Sequence, residues 1–128
     1  MSSDILHHIN SLPELKSLFA STTYVAVDFY ADWCGPCKAI APHYEGLAKQ
    51  HSVPNVLGFA KVNVDNAQDI AREYGITAMP TFMFFKEGRQ VGVNGQPVIR
   101  GADPRALSAA AEKLGGLAKK RVAEANAK

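Results

Sequence analysis

The sequence predicts an α/β fold, a central mixed sheet of about five strands flanked by helices on both faces. Three observations carry this. Apolar, β-branched and aromatic runs near residues 24–31, 56–64 and 81–86 read as strands, and segments of helical period separate them. The chain is 128 residues long, 47% hydrophobic and 20% charged, which suits one core and is too short for two.

The elements follow in order. Ile5 to Ile9 is a short strand candidate. Ser11 caps the next helix, Pro13 tolerates its first turn and Glu14 completes a capping box. Leu12, Leu15, Leu18 and Phe19 mark its buried face. Tyr24 to Ala31 is a near-continuous apolar run, as expected of a central strand buried on both faces and paired in parallel. A helix then starts around Cys34, with Cys37, Ile40, Ala41, Tyr44, Leu47 and Ala48 on one face. Pro42 inside it predicts a kink.

Val56 to Val64 is the next strand, followed by a short helix over Ala67 to Tyr74 that Gly75 terminates. Thr81 to Lys86 is a third strong strand, Glu87-Gly88 a turn, and a strand within Gln90 to Arg100 completes a hairpin. Asp103 and Pro104 open the last helix, with Leu107, Ala111, Leu114 and Ala118 inward. Gly115-Gly116 weakens it by ~1 kcal/mol per glycine relative to alanine, so the residues beyond are expected to fray or turn. The order is β-α-β-α-β-α-β-β-α. Right-handed crossovers make the helix-linked strands parallel, and the final hairpin is antiparallel.

Composition excludes several classes. No apolar run approaches the ~18 residues of a membrane span. Met1 to Asn10 carry Asp4 and two histidines and lack the hydrophobic stretch of a signal peptide, so a soluble, cytoplasmic protein is expected. Separately, a monomer is expected. Net charge is +2. Residues 105–128 hold six basic side chains against two acidic ones, on a body that is mildly acidic. That basic stretch reads as a solvated helix face, and without aromatic interleaving it gives no case for nucleic acid.

The two cysteines, Cys34 and Cys37, are more telling. A secreted disulfide scaffold usually carries four or more. A bridge closing so short a loop restrains the unfolded chain little. Random placement would put two cysteines three apart with odds of about 1.5%. The pair therefore reads as chemistry. It sits in Trp33-Cys34-Gly35-Pro36-Cys37-Lys38, between a buried strand and a helix, beyond a strand's carboxyl end where such sheets collect their ligand chemistry. Unpaired N–H groups and the helix dipole there favour a thiolate. The dipole supplies well under one pKa unit, so hydrogen bonds must do the rest. Cys34, read as the more exposed sulfur, attacks; Cys37, one turn inward, resolves the mixed disulfide.

This motif, behind a strand reading Val27-Asp28-Phe29, resembles the thioredoxin family. The resemblance covers about residues 5 to 114, taken as a thioredoxin domain 1–114 with a basic extension over 115–128, helical or partly frayed. Pro42 is similar to the family's kink in the active-site helix, Met79-Pro80-Thr81 to its cis-proline loop, and Gly101 to the glycine before its last helix. The resemblance implies the thioredoxin fold and a protein disulfide reductase working through a reversible Cys34–Cys37 disulfide, with Gly35 and Pro36 between them counted in the catalytic motif. Asp28 then exchanges protons with Cys37, and Lys61 is its partner. Burial raises the Asp28 pKa and Lys61 lowers it. A cis Pro80 turns the Met79 backbone toward the sulfurs. By the same resemblance clients dock on Trp33, Gly35, Pro36, Val64, Ala78, Met79, Pro80, Gly101 and Ala102. No cofactor is bound; electrons come from NADPH through thioredoxin reductase. Family clients are peroxiredoxin, methionine sulfoxide reductase and ribonucleotide reductase.

Four features depart from the pattern. Tyr30 stands where many relatives have tryptophan, Arg100 adds charge at the client rim, the 88–101 hairpin is long, and the chain continues past Leu114. They leave room for other readings. One is a thioredoxin-like interaction module of a larger protein, using the hairpin and basic tail. Another is a disulfide oxidase or isomerase, which Pro36 argues against. Zinc binding lacks a second pair of ligands. His43 and His51 read as surface residues.

Overall fold

A computed structural model describes residues 5–127; Asp4 and Lys128, counted above, lie outside them. The elements are β1 (Leu6–Ile9), α1 (Leu12–Ser21), β2 (Tyr24–Tyr30), α2 (Gly35–His51) and β3 (Leu57–Asn63). There follow α3 (Gln68–Tyr74), β4 (Thr81–Lys86), β5 (Arg89–Val91), β6 (Val98–Arg100) and α4 (Pro104–Asn126). The sheet order is β1-β3-β2-β4-β5, with β6 also paired to β4. Parallel pairing joins β1 to β3 and β3 to β2, but β4 runs antiparallel to β2. This corrects the expectation that all helix-linked strands are parallel. The seven-residue α3 is only about 10 Å long and does not return the chain along the sheet, so β4 starts at the end where β3 stops.

The described sheet has six strands rather than about five, because the return limb of the hairpin is split. β5 pairs with Phe84 to Lys86 and β6 with Thr81 to Met83, along the same side of β4. The residues between them turn back through a Val93–Gln96 bridge. Three-residue strands have too little length to show a period, which is why one strand was expected there.

Alternation along β2 builds two cores. Tyr24 and Ala26 face α2 and α4 together with Phe59, Phe82 and Phe84. Val25, Val27 and Phe29 face α1 and α3 with Ala60, Val62, Met83 and Phe85. Each fully buried large side chain contributes about 1.5–3 kcal/mol, so the middle strands anchor the fold. The buried Tyr44 of α2 places its hydroxyl 3.0 Å from the Ala26 carbonyl and 2.9 Å from the Ala60 carbonyl. One proton is shared between two acceptors, tying α2 to β2 and β3 at once.

The caps follow the sequence. Ser11 Oγ accepts from Glu14 N as expected, but the Glu14 carboxylate accepts from Asn10 N at 2.8 Å, one residue before the cap, rather than from Ser11 N. Asp69 of α3 adds a long-range cap, accepting from Leu12 N at 2.9 Å. Gly75 ends α3 at φ 65°, the left-handed conformation that costs glycine least. Asp103 caps α4 by accepting from Ala106 N.

The α2–α4 contact corrects two readings. His43 and His51 are half-buried, not surface residues. His43 Nε2 shares a 2.7 Å hydrogen bond with Ser108 Oγ. His51 packs on Gly115, where an added Cβ would lie 2.7 Å from its Nδ1. The two glycines of α4 are therefore not equivalent, and the helix runs through both to Asn126. Gly116 is exposed with nothing within 4 Å of an added Cβ. Gly116→Ala is expected to stabilise by ~0.5–1 kcal/mol. Gly115→Ala is expected to cost about 1–2 kcal/mol despite the same propensity gain, because the histidine ring must move. Urea melts of both variants check the opposite signs.

Candidate active site

Cys34 and Cys37 lie where β2 hands over to α2. They form a disulfide, with Cα atoms 5.3 Å apart. Cys34 is the N-cap of α2 rather than a residue of its first turn, and Cys37 N donates to Cys34 Sγ at 3.2 Å. An amide aimed at this sulfur favours its thiolate once the bridge is reduced. Gly35 and Pro36 fill the turn between the cysteines, both exposed. The expectation that Cys34 is the more open sulfur needs correction: the residues are 5% and 4% exposed, nearly alike in the disulfide state.

The Met79–Pro80 peptide is cis, and the Met79 carbonyl oxygen is 3.6 Å from Cys34 Sγ. In the dithiol form that carbonyl is a ready acceptor for the Cys34 thiol. Thr81 Oγ1 donates to the Ala78 carbonyl at 2.6 Å, and Gly101 N donates to the Pro80 carbonyl at 2.9 Å. Gly101 has φ 93°, so it can make this close turn where a side chain would be strained. Residues 78–81 and 101 thus form one braced rim beside the sulfurs.

Trp33 stands on the other rim, 69% exposed, and is the single large hydrophobic so exposed among the described residues. Its Nε1 donates to Asp65 Oδ2 at 2.9 Å. Asp65 N in turn donates to Asn63 Oδ1, and Asn63 Nδ2 donates to Asp32 Oδ2. Sequence reasoning missed Asp65: thirty-two residues separate it from Trp33, and only the Asn63-Val64-Asp65 turn after a strand hints at a fixed carboxylate. Of the residues expected to receive a client, Ala78 and Ala102 are exposed, and Met79 and Gly101 are half-buried. Val64 is 9% exposed and packs in the core with both cysteines.

Asp28 lies in the middle of β2, 1% exposed, with Oδ1 unpartnered among the described residues. Burial pushes its carboxyl up to about 7, against a smaller downward pull from Lys61. Lys61 is directly opposite on β3, but its Nζ sits 4.5 Å from the centroid of the Tyr30 ring. A hollow of about 260 Å³ reaches this region from the surface, lined by Tyr30, Asp32, Cys37, Lys38, Ala41 and Lys61. Tyr44 lies on the core side, its hydroxyl held protonated well above the usual range, first by burial and then by the Asp28 charge. The arrangement offers a sulfur pair that can exchange disulfides and a buried carboxyl that titrates near neutrality. Among the described residues no cluster of side chains is suited to a metal.

A family model described as Thioredoxin matches residues 10–110. The chain is 74% identical over 121 residues to a thioredoxin-like protein of Fusarium culmorum, covering 94% of this chain and 100% of that one. It is 58% identical over 123 residues to a thioredoxin of Neurospora crassa, covering 96% and 97%. Among solved structures, a thioredoxin of Plasmodium falciparum superposes with a TM-score of 0.74 at 37% identity, covering 84% of this chain and 97% of that one.

Proposed function

The chain belongs to the thioredoxin family and is a thiol–disulfide oxidoreductase built on Cys34 and Cys37, and from that premise we propose how it reduces its clients. The Cys34 thiolate attacks one sulfur of a client disulfide; the client S–S bond breaks and its other sulfur leaves as a thiolate that takes up a proton. Cys37 gives its proton to the Asp28 carboxylate, directly or through water, and attacks Cys34 Sγ; the Cys34–client S–S bond breaks, and the second client sulfur leaves as a thiolate that takes up a proton. The client leaves as a dithiol, and the chain is left with the Cys34–Cys37 disulfide. Two electrons and two protons pass to the client.

Lys61 is the charge partner that biases Asp28. Trp33, Val64, Ala78, Met79, Pro80, Gly101 and Ala102 receive an extended client peptide, whose backbone pairs beside Met79. NADPH restores the dithiol through a thioredoxin reductase, and peroxiredoxin, methionine sulfoxide reductase and ribonucleotide reductase are the client classes. We place this cycle in the cytoplasm, where a reducing pool keeps a dithiol donor charged.

The observation that carries the reading is Cys34 Sγ held between an α2 amide at 3.2 Å and the Met79 carbonyl at 3.6 Å. The test is the midpoint potential of the pair, followed by Trp33 fluorescence in a dithiol buffer. A value more negative than about −260 mV supports a donor to a glutathione-poised compartment. A value near or above about −180 mV overturns it in favour of an oxidase or isomerase.

A further inference from the structure

Asp28 and Tyr30 are two apart on β2 and so project to the same face of the sheet, and Lys61 is the direct neighbour of Asp28 on β3. Adjacent strands are ~4.8 Å apart, a gap that a lysine's four-carbon stem spans easily. The ammonium nevertheless lies over the Tyr30 ring, and no ion pair joins Lys61 to Asp28 among the described residues. Two attractors therefore compete for one cation, a buried carboxyl and an aromatic face. The ring holds it.

We propose that Tyr30 is a positioning residue for the redox site, its ring parking the Lys61 ammonium out of contact with Asp28 so that the carboxyl stays free to gain and lose a proton. Locked in an ion pair, the carboxylate would hold its charge and become a poor acceptor for the Cys37 proton. Parked on the ring, the ammonium acts only through space. The other groups facing this carboxyl do not substitute for it. Tyr44 of α2 is neutral, Cys37 and Lys38 of α2 line the outer hollow, and Asp32 beyond β2 accepts from Asn63. The inference deepens the proton role given to Asp28 above and rests on it for its consequence in catalysis.

The experiment follows the Asp28 carboxyl by carbon-13 NMR across pH in the oxidised full chain, for Tyr30→Leu, Tyr30→Phe, Lys61→Met and the Tyr30→Leu/Lys61→Met double variant. Tyr30→Leu is expected to lower the titration midpoint by about half a pH unit or more, as the freed ammonium falls onto the carboxylate. Tyr30→Phe keeps the ring and leaves the midpoint in place. With Lys61→Met present, Tyr30→Leu adds no shift, because its effect runs through the lysine. An unchanged or raised midpoint in Tyr30→Leu overturns the proposal. So does an equal shift in the methionine background, which would assign the effect to water entry. Tyr30→Met serves in place of a leucine variant that fails to fold. The pH profile of model-peptide reduction by Asp28→Asn is measured alongside. If it matches the parent's, the proton role of Asp28 fails while the NMR midpoints still decide the role of Tyr30.

Discussion

Cys34→Ser abolishes reduction of a disulfide-bonded model peptide, by at least about a thousandfold, because a serine hydroxyl has no thiolate-like form at neutral pH. Cys37→Ser fails differently. Its Cys34 still has the helix N-terminus, though the amide of residue 37 now belongs to serine, and it still attacks. The resolving sulfur is gone, so the chain accumulates as a mixed disulfide with its client. Mass spectrometry of the unreduced mixture reads both outcomes: no adduct for Cys34→Ser, one client per chain for Cys37→Ser. An adduct on Cys37 in the Cys34→Ser variant would reverse the assignment of the two sulfurs. Their near-equal burial in the disulfide makes this a direct test, since accessibility in that state does not distinguish them.

Asp28→Asn trades activity for stability, and pH separates the two. The native carboxyl keeps its proton up to about 7, raised first by burial, against an ordinary value of 3.8. Between those values the folded state holds a proton that the unfolded state has released, so folding stability falls as pH rises. The contribution is complete below about pH 4 and lost above about pH 7. An uncharged amide of the same shape escapes the loss. Asp28→Asn is expected to match the parent at pH 4 and to exceed it by on the order of 4 kcal/mol at pH 8. Urea melts at the two pH values measure this. Client reduction by the same variant is expected to drop by about 10- to 100-fold at pH 7–8, where the parent's carboxylate accepts the Cys37 proton. Equal stability of the two proteins at both pH values would mean that the carboxyl titrates normally.

What could be read from the amino acids alone depended on how locally each feature is determined. β2 was legible because six of its seven residues suit burial on both faces, and α2 because its buried face keeps helical period through Tyr44 and Leu47. The cysteine pair, the proline before Thr81 and the buried aspartate were legible as a motif. Contacts between distant segments were not. The Trp33–Asp65 hydrogen bond and the capping of Leu12 by Asp69 join residues whose nearness is set by sheet order. Gly115 was misjudged for the same reason: by propensity it weakens a helix, whereas in the packed molecule its missing side chain admits His51. The position of Lys61 over Tyr30 is a choice between two partners, and only the three-dimensional arrangement reveals which one it takes.

The split of the hairpin's return limb bears on how this sheet meets other sheets. A long bare strand edge templates pairing with another chain, the first step of edge-to-edge aggregation. Here one edge is β1, four residues long, with His7 and His8 exposed. The other is interrupted: β5 and β6 are three residues each, with Pro97 and a turn between them. Arg89 and Arg100 place exposed charge on these short runs. Neither side presents a long uninterrupted ladder of donors and acceptors, so the fold carries a built-in brake on ordered self-association.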